Sequence, residues 1–158
     1  MDPAERETLC TIADYQFGNG AGRALFPAEE VQTVMHTSSG RPQQVTCGGG
    51  PHEGQRIVSY GIDGRFTLGV EGGKRLYDAI GGPAVEVGSE SVPFVRDEKN
   101  AFAKFVHAVD AEVRPGDEVL VTHDGTVLAV GRAELPSHAM DDFETGVAVT
   151  VREGAEAD

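Results

Sequence analysis

Lysine is scarce in this chain and cysteine scarcer. Only Lys74, Lys99 and Lys104 carry an ammonium, against ten arginines, and the two cysteines, Cys10 and Cys47, stand far apart. There is no CxxC. The five histidines, His36, His52, His107, His123 and His138, are scattered, so no zinc-binding spacing exists. No apolar run approaches the roughly 18 residues of a membrane span. The opening "MDPAERETLC" lacks the basic-then-apolar order of a secretory signal. No Gly-Lys-Ser/Thr occurs, which excludes a P-loop. These absences predict a cytoplasmic protein with free thiols, no metal, no cofactor and no membrane partner.

Acid is what the chain has in plenty. Its 158 residues hold 26 Asp and Glu against 13 Lys and Arg, a net charge of −13, and the acids are dispersed rather than gathered in a tail. An acidic balance argues against nucleic-acid partners, and DNA is not expected. Dispersed acids with few lysines also suit a protein that stays soluble in molar salt. There the Debye length is about 3 Å and a global field reaches almost nothing. On that reading an RNA partner stays open, recognised by shape, hydrogen bonds and stacking. An ordinary acidic protein is the alternative.

Apolar periodicity predicts a helix over 4–17, with Leu9, Ile12, Ala13 and Phe17 near one face. The glycines Gly18, Gly20 and Gly22 end it, and "ALFP" leads into strands. "VQTVMH" and "RPQQVTC" flank a hairpin turn, "CGGGPHEG" is a loop, and Asp63-Gly64 turns "QRIVSYGI" into "RFTLGV". "GGKRLYDAI" is a short helix and "GGPAVEVGSES" a connector. Beyond it, "VPFV" reads as a strand and "NAFAKFVHAV" as a helix or turn. Residues 114–135 form a hairpin turned at Asp124-Gly125, "PSHAMDDFETG" is a helix, and "VAVTVRE" a closing strand. The fold class expected is α+β: a small N-terminal α+β domain over 1–84, then a β-rich barrel over 91–154.

The glycine cluster does not make a nucleotide loop. A dinucleotide fingerprint runs strand, glycines, helix, whereas here a helix precedes the glycines and extended chain is expected after them. Asp141 and Asp142 are neighbours about 100° apart on a helix, a solvated face rather than an acid/base pair. Neither cysteine has a basic partner nearby in sequence, and nothing assembles a nucleophile, a base and an oxyanion donor. The bases of the second half say more. Arg96, Lys99 and Lys104 fall within nine residues, with Asn100, Phe102 and Phe105 among them. Cations, an amide and aromatics can hold phosphates and stack bases. The competing reading is surface pairing with Asp97 and Glu98 over buried phenylalanines.

"VPFVRDEKNAFAKFV", "VRPGDEVLVTHDGTVLAVGRAELPSHAM" and "FETGVAVTVREG" resemble the PUA domain, in the form found at the C-terminus of archaeosine tRNA-guanine transglycosylases and their archaeosine-synthase relatives. "IADYQFGNGAGRALFP", "SSGRPQQV" and "DGRFTLGVEGGKRL" resemble the accessory domain that precedes PUA in those enzymes. The resemblance implies a pseudo-barrel that grips RNA through its first short helix and neighbouring strands. Carried over residue by residue, it marks Arg96, Lys99, Asn100, Lys104, Arg114, Arg132 and Arg152 as the RNA-binding set. No segment resembles the transglycosylase barrel with its catalytic aspartates and zinc ligands, so no catalytic residue is assigned. Relatives often carry glycine near "DEKN", where this chain has Asp97 and Glu98, acids that oppose a phosphate at low salt. The expectation is a non-catalytic protein from a salt-adapted archaeon that binds RNA, tRNA above all, and acts with a tRNA-modifying enzyme in trans. The alternative is a protein-interaction scaffold that has lost its RNA face.

Overall fold

The computed structural model describes residues 1–157 and divides into two compact units, Met1–Ile80 and the chain from Gly81 onward. The first opens with α1 (Pro3–Phe17). Its start is set by Asp2, whose carboxylate accepts the Glu5 N–H at 2.9 Å, with Pro3 in the first turn. Leu9 and Ala13 are its buried positions, one turn apart. A second helix, α2 (Ala21–Leu25), follows the glycines where extended chain was expected. Gly22 is the reason it can sit there. A Cβ at that position would stand 2.5 Å from Cys10 Cα, so only glycine lets α2 lie against α1.

Four strands make an antiparallel meander in chain order: β1 (Gln32–His36), β2 (Pro42–Cys47), β3 (Arg56–Tyr60) and β4 (Phe66–Leu68). Asp63 Oδ1 accepts the Arg65 N–H at 3.1 Å and Gly64 takes φ 78°, which closes the β3–β4 turn at the residues expected. The helix α3 (Val70–Ile80) lies on β3, and Gly72 permits its close approach to the Ile57 backbone. Leu9, Leu25, Phe26, Ile57, Phe66, Leu68 and Leu76 are fully buried. At about 1.5–3 kcal/mol per large side chain, this core holds the unit together. Phe26 and Phe66 meet edge to face with centroids 5.8 Å apart.

The second unit is a six-stranded sheet with the order β6-β10-β9-β8-β5-β7. Its strands are β5 (Ala84–Val87), β6 (Ala101–Phe102), β7 (Val106–Val109), β8 (Glu118–His123), β9 (Thr126–Ala133) and β10 (Val147–Gly154). The two outer strands, β6 and β7, are joined by one 3-10 turn, Ala103–Phe105, so the sheet curls into a nearly closed barrel. Two short helices, α4 (Val92–Arg96) and α5 (Ser137–Asp142), cover it. The α+β class and the β-rich barrel stand as expected.

Three local expectations are corrected. The supposed connector contains β5, which pairs in parallel with β8 and antiparallel with β7, placing Val85 and Val87 in the barrel core. "VPFV" is the start of α4, because Pro93 fits the first turn of a helix and cannot donate to a ladder. "NAFAKFVHAV" is strand, 3-10 turn and strand: Ala101 and Ala103 are buried and Phe102 and Lys104 exposed, an alternation of two rather than a helical stripe.

Candidate nucleic-acid interface

Of the candidate residues of the second unit, Arg96, Lys99, Asn100 and Lys104 run from the end of α4 past the edge strand β6. Helix α4 ends with a left-handed residue, Glu98 at φ 66°. Two backbone bonds define this stop: Glu98 N–H to the Val95 carbonyl at 3.0 Å and Lys99 N–H to the Phe94 carbonyl at 2.9 Å. This pair is the Schellman pattern, normally built on glycine. It leaves Glu98 in a conformation ordinarily taken by glycine. It also fixes Lys99 at the exit of the helix, exposed and without an ion pair among the described residues.

Asn100 follows, and its side chain turns inward to the sheet. Its Oδ1 accepts the Val151 N–H at 3.1 Å. The β9–β10 register shifts between Val151 and Glu153, a bulge, so Asn100 supplies an acceptor at an irregular place in the ladder. From there the chain alternates. Phe102 is 45% exposed and Phe94, on α4, 62% exposed. Lys104 is exposed, with its Nζ 5.0 Å from the centroid of its neighbour Phe105. Phe143, after α5, is also exposed. The reading of these phenylalanines as core is thus corrected for Phe102, while Phe105 is half-buried. Phe94 escaped the sequence reading because "VPFV" resembles a buried strand.

The four arginines divide differently. Arg114 is exposed at the Arg114-Pro115-Gly116-Asp117 turn, where its N–H is capped by Asp117 Oδ2 at 2.9 Å. Arg132 lies on β9 and gives its guanidinium to Glu134 at 3.0 Å. Glu134 also accepts the Thr150 hydroxyl, and these two donors, Thr150 first, hold its carboxyl below the usual range. Arg152, swung out by the bulge, grips the buried Glu118 with both nitrogens at 2.5 and 3.0 Å. Arg96 is half-buried, its Nε shielded from solvent without an acceptor, and its carbonyl packs where Gly154 has no side chain. The structure therefore brings Lys99 and Lys104 to the surface beside Phe102. It commits Asn100, Arg132 and Arg152 to partners within the fold. No group of three or more His, Cys, Asp or Glu side chains able to hold a metal occurs among the described residues. No helix there is long and apolar enough to cross a membrane.

The curled six-stranded sheet with its two short helices lies within residues 83–155, which match the PUA domain model. Residues 7–83 match the patch-forming domain C2 of tRNA-guanine transglycosylase. The chain is 41% identical over 152 residues to the tRNA-guanine(15) transglycosylase of Pyrococcus furiosus, and 37% identical over 155 residues to that of Thermococcus kodakarensis. These matches cover 94% and 96% of this chain but 24% and 25% of the enzymes, so the chain spans about a quarter of the length of those relatives. Among solved structures, the hypothetical protein PH0734.1 of Pyrococcus horikoshii superposes with a TM-score of 0.71 at 17% identity, covering 99% of this chain and 93% of that one. A conserved PUA domain protein of Thermoplasma acidophilum gives 0.70 at 17% identity, covering 100% and 93%. By these matches the chain carries domain C2 followed by a PUA domain and is homologous to the C-terminal part of archaeal tRNA-guanine(15) transglycosylase.

Proposed function

We propose that this protein binds tRNA without catalysing a reaction on it, and that it assists a tRNA-modifying enzyme in trans. The carrying observation is the segment from Lys99 to Lys104, where two unpaired lysines flank an exposed aromatic on an edge strand fixed by a helix stop. Lysines so placed take phosphates, and Phe102 and Phe94 offer faces to unpaired bases. Arg114 adds a third exposed cation, Arg132 reaches a phosphate by leaving Glu134, and Arg96, Asn100 and Arg152 hold the frame. Homology to part of a tRNA-acting enzyme supports RNA as the partner. In a salt-adapted cytoplasm the overall charge of −13 is screened within a few ångströms, so local cations decide.

The test is tRNA binding by Lys99→Ala and Lys104→Ala across a salt series, with melting as the control for folding. Each substitution should weaken binding about ten-fold and lower the salt slope by about 0.7–0.9, alike for all tRNA sequences. Unchanged affinity and slope in folded variants would remove this face from RNA binding and leave a protein-interaction module.

A further inference from the structure

The first unit holds a cavity of about 350 Å³ that the RNA reading does not use. Its wall includes Arg6, Cys10, Asp14, Asn19, Arg23 and Phe26. Arg6, Cys10 and Asp14 recur every four residues along α1, so they form one stripe. Arg23 comes from α2, which can approach this stripe only because residue 22 is glycine. The wall is uncommon for so acidic a chain. It carries two guanidiniums against one carboxylate, and neither Arg6 nor Arg23 has an ion pair among the described residues. The carboxylate is occupied: Asp14 Oδ1 accepts the Gly22 N–H at 2.7 Å.

Arg6 is fixed in place through neutral acceptors. Its Nη2 donates to Gln32 Oε1 at 2.8 Å and to the Glu30 carbonyl at 3.4 Å, while its Nε is buried and meets no acceptor. Two guanidiniums on one cavity wall, neither held by a carboxylate, leave positive charge that an anionic oxygen would answer. Cys10 brings no competing charge. Burial, then Asp14, pushes its thiol up, outweighing the opposite pull of Arg6 and Arg23. The cavity lies in the size range of sites for small ligands, so it has room for one phosphate with part of a sugar.

We infer that this cavity is a phosphate-binding site, in which Arg6 and Arg23 hold the oxygens of one phosphate group and the Asn19 amide adds a donor. The phosphate comes either from an RNA backbone or from a free nucleotide. The site stands on the geometry of the first unit and does not depend on the lysines of the second.

The experiment uses the full chain labelled with ¹⁵N and titrated with inorganic phosphate, then with adenosine monophosphate, at constant ionic strength set by chloride. Saturable shifts confined to the amides of residues 19–23 and to Arg6 are expected, with chloride alone producing none. Arg23→Ala, an exposed position that leaves the core intact, should weaken phosphate binding at least ten-fold, and Arg6→Lys should weaken it while keeping the charge. Absence of saturable shifts, an equal response to chloride, or undiminished binding in Arg23→Ala would overturn the inference. A parallel tRNA titration of Arg23→Ala separates the sources. Weaker tRNA binding with a reduced salt slope marks an RNA phosphate, and unchanged tRNA binding alongside lost phosphate binding marks a free nucleotide. Because inorganic phosphate is the primary probe, failure of this site and failure of the RNA face are read independently.

Discussion

Glu98→Gly separates the backbone role of the α4 stop from its charge. Glu98 sits at φ 66°, where a side chain meets the following carbonyl at a cost of roughly 1–2 kcal/mol. Glycine removes that cost but adds about 0.4–1 kcal/mol of unfolded-state freedom. The net gain is therefore roughly 0–1.6 kcal/mol, centred near 0.8, and that central gain raises the melting of a domain of this size by roughly 3–6 °C. Removing the acid beside Lys99 should also strengthen tRNA binding about two- to three-fold at low salt, an advantage that fades as salt screens it. Glu98→Ala is the discriminating partner: it deletes the same charge but keeps a Cβ in the left-handed region. Both variants should gain the same affinity, and only the glycine variant should gain stability, as followed by far-ultraviolet circular dichroism. An alanine variant that melts as high as the glycine variant would refute the claim that this backbone geometry limits stability.

Arg152→Ala should lower stability by about 2 kcal/mol in urea unfolding, less than for a fully buried pair because its side chain is 34% exposed. The affinity of the folded fraction for tRNA should stay within about two-fold, since the Arg152 guanidinium is held by Glu118. Glu134 predicts an acid-side effect. Its carboxyl is held low in the fold by Thr150 and Arg132, so its stabilising contribution is complete above the ordinary carboxylate range and is lost as pH falls through the lowered value. Glu134→Gln should flatten that part of the pH–stability curve and leave the neutral region with a constant offset, which melting from pH 7 down to pH 3 would reveal.

Much of the fold was legible because its signals are local. The Asp63-Gly64 turn and the Asp124-Gly125 turn each rest on residues that dictate their own dihedrals. The failures share the opposite cause. The alternation of Val85 and Val87 was present in "PAVEV", but its partners, Val121 and Val109, lie well downstream, and the flanking glycines suggested a linker. At "VPFV", β-branched composition favoured a strand, and the position of Pro93 outweighed it. The glycine cluster was refused as a nucleotide loop partly because extended chain was expected after it, and there the structure has α2. The use of Gly22, however, depends on Cys10, twelve residues earlier and one helix away, which no local pattern reports.

The site was legible to a smaller degree, for a reason rooted in charge pairing. A sequence shows which residues are cationic but not which cations are already answered. Arg132 and Arg152 carry the same formal charge as Lys99 and Lys104, yet Glu134, two residues beyond Arg132 and just past the end of β9, and Glu118, on β8 with β9 between it and β10, neutralise them. With acids outnumbering bases two to one, an unanswered cation is the exception that needs explaining. In the second unit the exceptions include Lys99, Lys104 and Arg114, and in the first they include Arg6 and Arg23. Arg75, by contrast, is paired with both Glu30 and Glu71. That those exceptions stand unpaired, two of them around a cavity and two beside an exposed aromatic, is the pattern expected where a polyanion completes the pairing.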